Sequence, residues 1–247
     1  MCRREARLSA MPGPVALVGA GEFLPRMVDF DRGLLAATGR VRPRVVVLPT
    51  ASYPDGEAVF QRWAAMGVEH FAALGAEVEP VLVRDRASAD DAAHVQAIGE
   101  ADLVYLSGGR ADYLLRTLDG SRVGRALVEA HVRGAVLAGC SAGAMVLADR
   151  QMEFRRRRLP WPLRWRRGLG FVRGTAVIPH YDAWPEPFSA LMALQAPRGA
   201  VVVGIDGETA IVGRDGAWQV HGRARVTVWR GRRRERYRSG EVFRLAP

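Results

Sequence analysis

The pentapeptide Gly139-Cys140-Ser141-Ala142-Gly143 restricts the possible folds more than any other stretch of the chain. A short apolar run, residues 134–138, leads into it, and a helix-forming stretch, residues 144–148, leads out. Strand, G-x-S-x-G and helix in that order form the layout of a nucleophile elbow. The turn is sharp, so the residues two places either side of the serine must be small enough for strand and helix to crowd together. The serine hydroxyl then stands clear of the sheet, and the amide of Ala142 faces the same space as half of an oxyanion hole. Such a turn belongs to a chain whose strands are parallel and whose returns are helical.

The rest of the sequence supports that layout. Residues 14–19 read as a first buried strand and 44–48 as a second, with further strands at 77–83, 102–106 and 134–138. Helical patterns occupy 24–38, 56–74, 88–98, 111–117 and 121–132. Short, continuously apolar strands alternating with helices predict a parallel sheet covered on both faces. Beyond a strand at 171–178, strand-like stretches at 200–205, 209–212, 218–220 and 225–229 are joined by turn signals such as Asp206-Gly207 and Asp215-Gly216. They predict antiparallel hairpins that finish the sheet. The expected fold class is therefore α/β, a flavodoxin-like three-layer α/β/α sandwich with a mostly parallel sheet and C-terminal hairpins. Residues 1–11 read as a disordered leader, with Met11 an alternative start, and 12–247 as one domain with a basic insertion at about 150–170.

Composition narrows the chemistry. The chain has no lysine, so all 36 basic residues are arginine, and it has no asparagine. A Walker A lysine, a Schiff-base lysine, Ser-Lys catalysis and a Cys-His-Asn triad are all excluded, and an oxyanion hole must be built mainly from backbone amides. Two cysteines, Cys2 and Cys140, make no disulfide framework and point to a reducing, cytoplasmic setting. No apolar run approaches the roughly 18 residues of a membrane span, and no His/Cys cluster has metal-ligand spacing. The net charge of +10 is uneven. Residues 150–173 hold nine arginines against Glu153, and residues 223–244 hold nine against Glu235 and Glu241, leaving the remainder mildly acidic.

Active sites of open parallel sheets gather outside the carboxyl ends of the strands. Four segments sit there: Gly19-Ala20-Gly21-Glu22, Ser107-Gly108-Gly109-Arg110, the elbow, and Pro179-His180-Tyr181. The first is a weak dinucleotide motif, because Leu24 stands where a further glycine belongs. A serine needs a base within hydrogen-bond reach to become nucleophilic. His70, His94 and His131 fall on expected helices and His221 in the hairpins, so His180 is the candidate base. Gly108 and Gly109 have the freedom to bring a backbone amide against an oxyanion.

A glycine pair after one strand, G-x-S-A-G-A at the next elbow, and P-H-Y after a later strand together resemble the dipeptidase E/cyanophycinase family of serine peptidases. The segment 204–210 is also similar to one that follows the histidine in that family, and the likeness spans roughly residues 14–230. The resemblance implies a fold like the class I glutamine amidotransferase domain and no cofactor. It implies Ser141 as nucleophile, His180 as base, and Gly109 with Ala142 as oxyanion donors. Cys140, one residue off the centre of the motif, reads as a small buried hydrophobe, which argues against glutaminase activity.

The sequence departs from the family twice. Arg110 follows the glycine pair, where the family has an amide or acidic residue that helps to bind substrate; Gly108 and Arg110 are the substrate-binding candidates. The triad acid normally comes from the segment between serine and histidine, which here is arginine-rich with Glu153 its sole acid. Asp149 lies about two turns, roughly 12 Å of rise, from Ser141. Asp182 follows His180 by two residues, and a Ser-His dyad is the remaining option. Glu153 is the favoured acid. The leading expectation is a serine hydrolase of a small peptide or amide; the resemblance implies acidic substrates, and Arg110 would suit their carboxylate. The alternative is an inactive relative that binds an anionic ligand or nucleic acid through its arginine segments, with Trp161, Trp165 and Trp229 stacking on bases. A homodimer is left open, and no membrane partner is expected.

Overall fold

The computed structural model describes residues 11–153 and 161–245. The proposed leader, except for Met11, and the middle of the basic insertion lie outside the described residues. A first sheet holds β1 (Val15–Val18), β2 (Arg44–Leu48), β3 (Glu77–Pro80), β4 (Leu103–Leu106) and β5 (Val136–Cys140), all parallel. Their connections carry α1 (Val28–Ala37), α2 (Glu57–Ala73), α3 (Ala92–Glu100), α4 (Ala111–Leu118) and α5 (Arg122–Val132). After the elbow come α6 (Ala142–Leu147), β6 (Ala148–Met152), β7 (Trp165–Arg167), β8 (Val172–Ile178) and α7 (Glu186–Leu194). The chain ends in β9 (Val201–Ile205), β10 (Thr209–Arg214), β11 (Ala217–Gly222), β12 (Arg225–Arg230), β13 (Arg233–Arg238) and β14 (Val242–Arg244).

Strand order in the first sheet is β14-β11-β10-β1-β5-β4-β2-β3. The strands with unbroken apolar sequence, β1, β4 and β5, are fully buried and lie in its middle, while β3 (Glu-Val-Glu-Pro) takes the edge. Successive side chains of a strand point to opposite faces, and two cores form accordingly. Ala16, Val18, Val45, Val47, Tyr105 and Cys140 pack with α1 and Phe71 of α2 on one side. Leu17, Val46, Leu48, Val104, Leu106 and Leu137 pack with α3, α4, α5 and α6 on the other. Each such aliphatic side chain contributes about 1.5–3 kcal/mol on burial, which fixes the register of every central strand.

The α/β class with a parallel sheet is as expected, and the structure adds a second sheet, of order β13-β12-β9-β8-β6-β7. The C-terminal strands divide between the two: β10 and β11 extend the first sheet antiparallel beside β1, whereas β12 and β13 extend the second beside β9. The described parts of the basic insertion form the antiparallel pair β6–β7. Among the described residues no helix is long and apolar enough to cross a membrane.

Candidate active site

The elbow needs its glycines. A Cβ on Gly139 would stand 2.5 Å from the carbonyl carbon of Gly143, and one on Gly143 would stand 2.3 Å from the carbonyl oxygen of Leu106. Their absence lets α6 rise directly against β5 and β4. Ser141 sits at φ 50°, ψ −105°, a conformation that a residue with a side chain rarely adopts, and its N–H donates to the Val18 carbonyl at 2.9 Å. Backbone strain of this kind costs about 1–3 kcal/mol and persists where the surroundings over-determine it.

Ser141 and His180 meet. The Oγ of Ser141 lies 2.9 Å from Nε2 of His180. For the hydroxyl to donate to Nε2, the imidazole proton must be on Nδ1. His180 follows the carboxyl end of β8 in the left-handed region, at φ 49°, ψ 40°. Its neighbour Tyr181 holds it there: the Tyr181 ring is buried against Gly204 of β9, and its hydroxyl accepts the indole N–H of Trp229 at 2.9 Å.

The glycine pair flanks the elbow. A Cβ on Gly108 would stand 3.4 Å from that of Ser141. The Gly108 N–H donates to Glu22 at 2.8 Å and the Arg110 N–H to the Ala51 carbonyl at 2.7 Å. Between them, the Gly109 N–H makes no hydrogen bond among the described residues. Ala142 opens α6, where the first N–H groups have no intrahelical acceptor. Gly109, Ala142, Ser141 and His180 line one cavity of about 720 Å³, together with Arg110, Arg116, Tyr113 and Trp184.

The favoured acid lies elsewhere. Glu153 accepts Nη2 of Arg166 at 3.1 Å and lines a separate cavity with Asp119 and Trp165. The strand pair β6–β7 carries it there: the Glu153 N–H continues the ladder to the Arg164 carbonyl at 2.8 Å. Asp182 accepts the Gly207 N–H at 2.8 Å. Among the described residues His180 has one hydrogen bond, to Ser141, and no carboxylate partner. Arg110 is already engaged, its Nη2 and Nε donating to Asp55 at 2.7 and 3.1 Å. Arg116 lines the cavity without an ion pair among the described residues. It stands one helical turn beyond Asp112, which also lines the cavity, and nothing in the sequence marks it out from the other arginines.

Cys140 is a buried free thiol, and burial with the nearby Glu22 carboxylate pushes its pKa well up. It is inert in this state. Trp229 is buried and cannot stack on a base, whereas Trp161 is exposed. Many C-terminal arginines are paired: Arg234 and Arg236 with Glu186, Arg233 with Glu235, and Arg223 with Glu208. No group of three metal-ligating side chains occurs among the described residues.

The chain is similar to known proteins. Solved structures similar to the chain include a peptidase from an acI-B1 actinobacterium, at TM-score 0.86 and 32% identity over 96% of this chain and 98% of that one. A candidate peptidase E from Listeria monocytogenes EGD-e superposes at TM-score 0.63 and 17% identity, over 86% of this chain and 100% of that one, a likeness of fold alone. The uncharacterized peptidase YgaJ of Bacillus subtilis (strain 168) is 30% identical over 169 residues, 68% of each chain. Residues 15–221 match Peptidase family S51. The chain thus belongs to Peptidase family S51, a family of serine peptidases, as the elbow and its histidine imply.

Proposed function

We propose that Ser141 is the nucleophile and His180 the general base of a hydrolase that cleaves small peptides. The 2.9 Å contact between Oγ and Nε2 at a strained elbow carries this reading. Ser141 attacks the scissile carbonyl carbon while its proton passes to Nε2 of His180. The carbonyl π electrons move onto oxygen, and the N–H groups of Gly109 and Ala142 receive the resulting oxyanion. Collapse breaks the C–N bond, His180 returns the proton to the leaving amine, and water then releases the acyl group by the same steps. With no carboxylate on its ring among the described residues, His180 works here as half of a dyad.

The substrate is a short peptide bearing a carboxylate. Arg116 supports this choice, since it lines the cavity without an ion pair among the described residues, whereas Arg110 is held by Asp55. The setting is the cytoplasm, in keeping with the free thiol of Cys140. The test is hydrolysis of a dipeptide panel with acidic, neutral and basic N-terminal residues by wild type, Ser141→Ala and Arg116→Ala. Turnover lost in Ser141→Ala, with a preference for acidic peptides lost in Arg116→Ala, is the expected outcome. Turnover that survives Ser141→Ala would refute the mechanism, and an unchanged preference in Arg116→Ala would refute the role of that arginine.

A further inference from the structure

Glu22 is a buried carboxylate directly behind the elbow, and the mechanism above gives it no part. Gly21 at φ 88° and Phe23 at φ 63° turn the chain after β1 so that the Glu22 side chain enters the protein, leaving the residue 8% exposed. Phe23 anchors that turn: its ring lies 5.2 Å from Tyr105, 5.5 Å from His70 and 6.0 Å from Phe71, centroid to centroid. Both carboxylate oxygens are used. Oε1 accepts the Gly108 N–H at 2.8 Å, and Oε2 accepts the Cys140 thiol at 2.6 Å.

A buried carboxylate is costly unless its lone pairs are met, so its retention here calls for a function. One oxygen holds the loop after β4, which carries Gly109. The other accepts only the side chain of Cys140, whose backbone is held by the pairing of β5 with β1. A charge-assisted bond to a backbone N–H is about twice as strong as a neutral one. It fixes the Ser107–Gly108 peptide, the neighbour of the one that carries the Gly109 N–H, on a loop whose glycines would otherwise leave it free to turn.

We propose that Glu22 is a positioning residue for the oxyanion hole. It locks the Gly108 peptide so that the next N–H, that of Gly109, faces the cavity beside Ser141. The inference rests on the reading of Gly109 and Ala142 as oxyanion donors. Glu22 touches neither substrate nor reacting atoms. Its effect belongs to the transition state, when charge develops on oxygen, and not to substrate binding.

A fluorophosphonate is a suitable probe, because its phosphonyl oxygen occupies the oxyanion position as the serine is phosphonylated. The concentration dependence of labelling separates kinact from KI for wild type, Glu22→Leu, Glu22→Gln and Cys140→Ala. Losing one oxyanion donor typically costs about 10²–10³ in rate. With the donor loosened, not removed, Glu22→Leu is expected to lower kinact by about 10–100-fold with KI within about twofold. Glutamine still offers an oxygen to Gly108, so Glu22→Gln should keep kinact within about fivefold of wild type. Cys140→Ala should label like wild type. A folded Glu22→Leu with wild-type kinact, or a Glu22→Gln as slow as Glu22→Leu, overturns the proposal. Should Glu22→Leu not fold, loss of kinact beyond about fivefold in Glu22→Gln refutes it. Absence of labelling in wild type overturns the nucleophile reading as well, a result distinct from any difference among these variants.

Discussion

Gly204→Ala tests whether the base is held by packing at a distance from the chemistry. A Cβ at this position would lie 2.2 Å from Cδ2 and 2.5 Å from Cγ of Tyr181. Restoring ordinary contact at about 3.5 Å requires the ring to move by more than about 1 Å. The Gly204 backbone has little freedom to yield, since it pairs with Ile178 of β8 on one side and Thr227 of β12 on the other. Overpacking of this kind costs about 1–3 kcal/mol, and parting the Tyr181 hydroxyl from the Trp229 N–H adds about 1 kcal/mol. For a chain of this size, about 3 kcal/mol corresponds to a fall in Tm of about 6–12 °C. His180 is bonded directly to Tyr181 in sequence, so it shifts with the ring. A displacement of about 1 Å in a catalytic group costs about 10²-fold in rate. Thermal circular dichroism and fluorophosphonate labelling on the same preparation read both effects. A Gly204→Ala protein with Tm within about 2 °C and labelling within about fivefold of wild type, thresholds set by about 1 kcal/mol of effect, would refute the argument.

Other substitutions and conditions follow from the same contacts. Gly143→Ala drives a methyl group into the Leu106 carbonyl, so it should cost about 3 kcal/mol or more and abolish labelling, as a denaturant titration beside the labelling gel will show. Gly33→Ala, within α1 and with nothing inside 4 Å of the new Cβ, should raise stability by about 0.5–1 kcal/mol without changing activity. Burial, with Arg214 adding to it at His131, lowers the pKa values of His131 and His221 below 6.5. Below pH 6.5 the unfolded chain therefore takes up protons that the native state resists, and stability present above that pH is lost as the pH falls. Melting profiles should fall less steeply with acid in a His131→Gln/His221→Gln double variant than in wild type; equal slopes would remove these residues from the account.

Much of this was legible in the sequence, for identifiable reasons. The central strands announce themselves because β1, β4 and β5 are buried on both faces and so lack polar residues. The elbow and His180 were visible because strand ends are marked by the glycines and proline that stop the ladder. The second sheet was not. Strands such as 209–214 and 225–230, buried over most of their length, show by their sequence that they are strands but not which edge they join, and that choice depends on contacts across the whole chain. The acid failed for a similar reason: Glu153 was the sole candidate in its segment, yet the β6–β7 pairing carries it to Arg166. Arg110 was read as an available cation because its partner, Asp55, is 55 residues distant in sequence. Glu22 stood in plain view after Gly21, but its task depends on Gly108 and Cys140, which only the folded sheet brings to it.

Fluorophosphonate labelling of wild type beside Ser141→Ala and His180→Ala tests the central claim most directly. Strong labelling of the wild type, absent in Ser141→Ala and reduced by about 10³-fold or more in His180→Ala, is the predicted result. Folded wild-type protein that takes no label, or label that persists in Ser141→Ala, would contradict it.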